Sequence, residues 1–309
     1  MQTKLGTQHG SGLPRLTRRF VALVALGALF FSLACWKKNQ NTANTSSNNS
    51  TGNKSRRVTN QKYLASLPQG FQLPDDADEV GQRVLADYGS VFVARGSVQA
   101  PTTVIFADEA ATQSWQSSVK TRRESFGGIE LELQTPAMTA LMEARSEAQK
   151  EKLDITSRGA DAARRSYSET VKLWESRVNP GLTHWTRENR LSKEEAERIR
   201  RLSPREQVPE ILRLEADGLY FSTDFKKSIL YSVAAPGTSQ HLSMLAFDVQ
   251  QHDTPEVRQT LARHGWFQTI SSDLPHFTYL GVTEDQLPSL GLKKKTSGGR
   301  TFWIPQLTE

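Results

Sequence analysis

Apolar positions along this chain recur with two different periods, and each switch between them predicts an element. "IELELQ", residues 129–134, alternates apolar and polar positions as a half-buried strand does. "PAMTALMEARSEAQKEK" follows with apolar residues at helical spacing and Pro136 near its start, where a helix accepts proline. Upstream, "SVFVAR" and "TTVIFA" are rich in β-branched residues and phenylalanine and predict strands. "DEAATQSWQSSVKTRRESF" predicts a helix with Asp108 near its start. Downstream, "LDIT" predicts a short strand and "DAARRSYSETVKLWESRV" a helix. "SKEEAERIRRLSPREQVPEILRLEADG" predicts charged helices broken at Pro204 and Pro209, their charges forming solvated faces. Short strands are expected from Leu219, then a helix at "TPEVRQTLARHG", a strand at "FTYLG" and a basic hairpin turn at "LKKKTSGGR". Helices and strands mix without a regular βαβ repeat, so the expected class is α+β.

The N-terminal residues follow neither period. Arg15, Arg18 and Arg19 precede an apolar run from Phe20 to Phe31 and then small residues, the layout of a secretory signal. The run is shorter than the roughly 20 apolar residues of a membrane span. Cys35 is the only cysteine, so no intramolecular disulfide can form. "SLAC" resembles a bacterial lipoprotein processing site, which implies that Cys35 is lipidated and becomes the mature N-terminus. An uncleaved anchor and ordinary secretion are the alternatives. "NQNTANTSSNNSTGNKSRRVTN" has almost nothing apolar to bury and predicts a flexible tether. The expected order is a signal or lipoprotein segment over 1–35, a linker over 36–61, and a small α/β region of illegible role over 62–128.

Charge is unevenly distributed along the chain. The chain of 309 residues has a formal net charge of +6, but nine of its 39 Lys and Arg and none of its 33 Asp and Glu lie in residues 1–60. The remainder is therefore slightly acidic, which argues against a nucleic-acid binder.

Candidate chemistry gathers late in the chain. Four of the six histidines, His241, His252, His264 and His276, fall within residues 241–276. His264 precedes Gly265 as a helix C-terminal residue does, His252 and Asp253 read as caps for the helix near Thr254, and His184 reads as structural. "TSQHLSMLAFDV" is different: its apolar run carries His241 at its entry and Asp248 near its end. If Met244, Ala246 and Asp248 share one strand face, Asp248 points away from Leu245 and Phe247. Either Asp248 is exposed, or something positive meets it there, because burying an unpaired carboxylate is costly. "SDLPHFTYLG" places Asp273 three residues before His276, which opens another strand. Two histidines and a carboxylate on neighbouring strands can make a three-ligand zinc site with a fourth position open. Asp273 is placed to act as the base.

These two stretches resemble the VanY-type D-alanyl-D-alanine carboxypeptidases, which share a fold with the D,D-dipeptidases and the hedgehog signalling domain. The pattern there is Ser-x-His-x-x-Gly-x-Ala-x-Asp, then Glu-x-x-His at the start of a strand. Ser239, His241, Ala246 and Asp248 match the first in register, and Asp273 and His276 stand at the second. "LDITSRGADAARRSY" is similar to a strand and loop leading into the family's arginine, here Arg165. Met244 replaces the pattern's glycine, Pro275 its usual tryptophan, and Asp273 its catalytic glutamate, one methylene longer. The resemblance covers roughly residues 129–281.

It implies a mainly antiparallel sheet flanked by helices over 129–309, with a helical insertion at about 178–230. It implies that His241, Asp248 and His276 bind Zn2+, that Asp273 is general base and acid, that Arg165 holds the substrate's terminal carboxylate, and that Ser239 bonds to substrate. Lys226 and Lys227 are alternative carboxylate holders. The implied activity is a zinc carboxypeptidase acting on peptidoglycan stem peptides, from a lipid-anchored position in a bacterial cell envelope. Two alternatives stand beside it: a peptidoglycan endopeptidase, and a wall-binding lipoprotein with little or no turnover. A purely structural lipoprotein predicts no zinc.

Overall fold

Side chains that accept hydrogen bonds from the unpaired N–H groups of a first helical turn decide where most helices of this chain begin. In the computed structural model, which describes residues 58–309, Asn60, Asp78 and Asp108 cap α1 (Gln61–Ser66), α2 (Glu79–Tyr88) and α3 (Glu109–Ser118) in this way. Pro136 stands in the first turn of α4 (Thr135–Lys150). A reciprocal pair, Ser166 with Glu169, opens α5 (Tyr167–Arg187). Ser192 caps α6 (Lys193–Arg201), Ser203 with Glu206 opens α7 (Pro204–Ala216), and Pro255 lies in the first turn of α8 (Pro255–Arg263). The expected signal, Cys35 and most of the tether lie outside the described residues.

The class is α+β, and the paired strands are antiparallel in three small sheets. β1 (Thr121–Phe126) pairs with β2 (Ile129–Gln134). β3 (Ala246–Asp248), β5 (His276–Tyr279) and β4 (Trp266–Phe267) form the order β3-β5-β4. β6 (Leu292–Ser297) pairs with β7 (Arg300–Pro305). Both two-stranded hairpins turn on a Gly-Gly pair with positive φ, Gly127-Gly128 and Gly298-Gly299, the backbone a two-residue turn requires.

Two apolar clusters hold these elements. The larger joins Tyr63, Leu85, Leu133, Leu141, Phe247, Trp266 and Phe277, and so packs α1, α2, α4 and the central sheet together. It draws on both sides of the boundary expected at 128/129, which the β1–β2 hairpin spans. The smaller joins Trp174, Leu182, Ile199, Ile211 and Phe221 and gives α5, α6 and α7 a core of their own.

Several expectations are corrected. "SVFVAR" forms a 3-10 helix over Gly89–Val93 whose residues are all buried; burial on every side overrides strand propensity. "TTVIFA" contributes only the bridge Thr103 to Gln72, and "LDIT" forms no strand, the next residue, Ser157, bridging to Val249. The helix expected through Phe126 stops at Ser118, because the chain reverses at Gly127-Gly128 and residues 121–126 pair with β2. "DAARRS" is a loop that leads into α5, which runs past Pro180 to Arg187. Pro204 opens α7 rather than breaking it, and Pro209 sits inside α7. Residues 219–245 form turns and 3-10 helices in place of strands. His252 and Asp253 do not cap α8: Thr254 holds the cap position without a side-chain bond, and Asp253 pairs with Arg300.

Candidate metal centre

Three backbone devices bring His241, Asp248 and His276 together. The first is the turn before His241. Gly237 has φ of +78°, and a Cβ there would lie 2.2 Å from the Phe106 carbonyl oxygen, so only glycine fits. The chain then enters a 3-10 helix over Gln240–Ser243, with Ser239 at its cap accepting from His241 N at 3.4 Å. The second is Met244, which leaves that helix with φ of +55° and ψ of +30°. This left-handed residue turns the chain into β3. The third is strand register: Asp248 of β3 lies opposite His276 of β5.

The side chains converge. His241 Nε2 lies 3.3 Å from Asp248 Oδ1, and His276 Nδ1 lies 3.2 Å from the same oxygen. Both histidines are 2 % exposed. Arg165 Nη2 donates to the other carboxylate oxygen, Asp248 Oδ2, at 2.9 Å. The loop that carries Arg165 is stitched to the same elements: Asp248 N donates to Ala162 O, and Gln116 Nε2 donates to both Arg165 O and Leu242 O.

The protons on the two imidazoles follow from what surrounds them. His241 Nδ1 is 2.7 Å from Ala163 O. A carbonyl only accepts, so Nδ1 carries a proton and donates it. Gln240 Nε2 donates to Tyr88 O at 2.7 Å, which fixes the amide so that its Oε1 faces His276 Nε2 at 2.8 Å. Thr278 also donates to that oxygen. His276 Nε2 is therefore the protonated nitrogen. In neutral imidazoles, His241 Nε2 and His276 Nδ1 are then lone pairs, and both face the Asp248 carboxylate. Burial pushes His241 below its ordinary pKa, by more than the Asp248 carboxylate raises it, so its neutral form is favoured. Burial pushes the Asp248 carboxyl up, and positive charge facing it, His241 foremost when protonated, outweighs that and holds the group well below the usual carboxylate range; with both rings neutral, a cation between the three groups takes that place.

Two nitrogen lone pairs and an ionised oxygen aimed at one point are a donor set for a cation. The three ligand atoms lie within 4.8 Å of one another. The two spacings to Asp248 Oδ1 suit zinc: ligands about 2.0–2.2 Å from a tetrahedral zinc stand roughly 3.3–3.6 Å apart, against 3.2 and 3.3 Å here. Ala163 O and Gln240 complete the arrangement by orienting each ring through its other nitrogen.

A cavity of about 220 Å³ opens on this cluster, and Ser239, Arg165 and Asp273 line it with His241 and His276. Asp273 is exposed on its wall. Ser239 reaches the cavity but also caps the turn that carries His241. Lys226 and Lys227 do not line it. The other histidines stand apart: His264 pairs with Glu147 at 2.7 Å, His252 lies against Arg300, and His184 stacks on Phe225 with ring centroids 4.2 Å apart. Sequence reasoning missed Gln240 and Arg177, a further cavity-lining residue from α5. Neither had a signal: Gln240 lies among Thr238, Ser239 and His241, where one more polar residue does not stand out. Comparison of the chain with protein-family models, with curated proteins and with solved structures gives no match.

Proposed function

We propose that this chain is a zinc-dependent peptidase that trims peptidoglycan stem peptides, in the manner of the D-alanyl-D-alanine carboxypeptidases its two motifs resemble. The observation that carries the reading is the tautomer pattern: hydrogen bonds to Ala163 O and Gln240 Oε1 leave His241 Nε2 and His276 Nδ1 as lone pairs facing Asp248. A zinc ion held by these three residues supplies Lewis acidity, making water acidic enough to ionise near neutral pH and polarising a peptide carbonyl.

The remaining chemistry belongs to the protein. The Asp273 carboxylate, on the cavity wall, takes the proton of the attacking water and returns it to the leaving amine. Arg165 holds Asp248 in place and offsets its charge, so that the carboxylate presents Oδ1 to the centre. The cavity is smaller than the roughly 300–1,000 Å³ pockets that take drug-sized ligands, which suits the end of a peptide. Met244 adds support for a hedgehog and D,D-peptidase-like fold, since its left-handed backbone stands where the motif carries glycine. The exported, lipid-anchored location rests on the signal-like residues and Cys35. Among the described residues no helix is long and apolar enough to cross a membrane.

A second reading, a wall-binding lipoprotein that keeps the metal without turnover, is favoured by one feature. Asp273 is exposed and one methylene shorter than glutamate, and displacement of a catalytic group by about 1 Å can cost roughly 100-fold in rate. The two readings separate on incubating the zinc-loaded chain with a pentapeptide stem. Released D-alanine, lost in Asp273→Asn, supports the peptidase. Stoichiometric zinc with no product supports the binding protein and contradicts the peptidase.

A further inference from the structure

The resemblance gives Arg165 the task of holding a substrate carboxylate, but its guanidinium is already engaged. Nη2 donates to Asp248 Oδ2 at 2.9 Å, Nε donates to Asp161 O at 2.8 Å, and Asp161 Oδ2 lies 3.5 Å from Nη2. Two carboxylates thus offset its charge. Arg177 lines the same cavity and is in a different state. It is half-buried, projecting from α5. Its Nε donates to Ser232 Oγ at 2.8 Å and its Nη1 to Ser176 Oγ at 2.9 Å, both neutral partners. Among the described residues no carboxylate pairs with it, and Nη2 makes no hydrogen bond to the protein. The two serines fix the plane of the fork and leave its charge unanswered, which is the arrangement that receives an anion.

We infer that Arg177, rather than Arg165, is the residue that binds the free carboxylate at the C-terminus of the peptide ligand. This rests on the reading of the cavity as a peptide site. Arg177, His241, His276 and Asp273 all line a space of about 220 Å³, so an anion on Arg177 stands within one or two residues of the metal centre. The ligand class that satisfies both ends is a short peptide terminus with its carboxylate free. A cross-linked stem with that carboxylate in an amide leaves Arg177 unpaired. The cavity therefore selects exopeptidase over endopeptidase substrates.

Titration calorimetry of the zinc-loaded chain with a diacetylated Lys-D-Ala-D-Ala peptide and with its C-terminal amide tests this. Wild type is expected to prefer the acid by about tenfold or more, the scale of one charge-assisted hydrogen bond. Arg177→Gln is expected to bring the two affinities together by weakening the acid alone, with zinc content unchanged, and Arg177→Lys to retain part of the preference. Failure of the preference to appear in wild type, its persistence in Arg177→Gln, or its loss in Arg165→Gln with Arg177 intact and zinc content unchanged, overturns the inference. If the acid is preferred through Arg177 but no D-alanine is released, the carboxylate site stands and the peptidase reading fails. If D-alanine is released and Arg177→Gln leaves the preference untouched, the reading stands and the inference fails.

Discussion

Gln240 makes no contact of its own with the proposed ion, yet replacing it by methionine is expected to weaken zinc binding by about 10- to 100-fold, the usual cost of losing a partner that orients a ligand. Its Oε1 accepts from His276 Nε2 at 2.8 Å and its Nε2 donates to Tyr88 O at 2.7 Å. Methionine fills the space but ends both bonds, and the His276 ring is free to exchange tautomers. Thr278 keeps a partner, since its hydroxyl lies 2.6 Å from Thr269 Oγ1. One buried group is left unpaired, His276 Nε2–H, at about 1–3 kcal/mol, whereas Tyr88 O, at the cap of the 3-10 helix over Gly89–Val93, keeps that helix's first backbone bond. That loss, about 1–3 kcal/mol, is smaller than the roughly 5–15 kcal/mol by which domains are stable, so the variant is expected to fold with a lower urea midpoint. Gln240→Glu keeps an acceptor for His276 and is expected to retain zinc. Affinity is read by competition with a chromophoric chelator, beside urea unfolding of the metal-free protein. A folded Gln240→Met protein that binds zinc as tightly as wild type refutes the tautomer argument.

Other substitutions probe the fold beneath the site. Met244→Gly relieves a left-handed residue, worth about 1–2 kcal/mol, but removes a fully buried side chain, worth about 2–5 kcal/mol; denaturant unfolding is expected to show a net loss, and a gain in stability would contradict the packing of Met244. Glu215 accepts from Phe221 N at 3.2 Å and Ile229 N at 2.6 Å, and burial raises its pKa. An acid raised in the folded state is more stabilising when protonated, so its contribution is fullest below the ordinary glutamate value and is lost as pH rises through the raised one. Glu215→Gln is therefore expected to match or exceed wild-type stability at pH 7 and to flatten the profile from about pH 4 upward, whereas Glu215→Ala should cost about 1–3 kcal/mol for each N–H left without an acceptor; a less stable glutamine variant at pH 7 would show that the carboxylate is welcome there.

Local signals made parts of this fold legible. "IELELQ" announces β2 by alternation, Pro136 marks the start of α4, and "SGGR" marks the β6–β7 turn. The same Gly-Gly signal stands at Gly127-Gly128, but "TRRESF" before it is too polar to look like a strand. Three of its six residues are exposed, held at the surface by pairing with β2. "SVFVAR" misleads for the opposite reason, since a short apolar run buried on every side carries no period. At the site, Asp248 and His276 were readable because they suit neighbouring strands, and the register sets Asp248 opposite His276, whereas His241 stands in the 3-10 helix before β3. Their partners were not: Ala163 O is a backbone atom 78 positions away, and Gln240, Arg165 and Arg177 acquire their roles only from how the loop and α5 pack across the sheet.

A cation drawn to the lone pairs of His241 and His276 and the oxygen of Asp248 is the centre of the proposed function. Metal content by mass spectrometry, after zinc loading and gel filtration, measures that directly. One zinc per chain is predicted for wild type and for His264→Gln, whose histidine is bound to Glu147, and none for His241→Ala. A wild-type chain without zinc, or a His241→Ala chain that keeps a full equivalent, would contradict it.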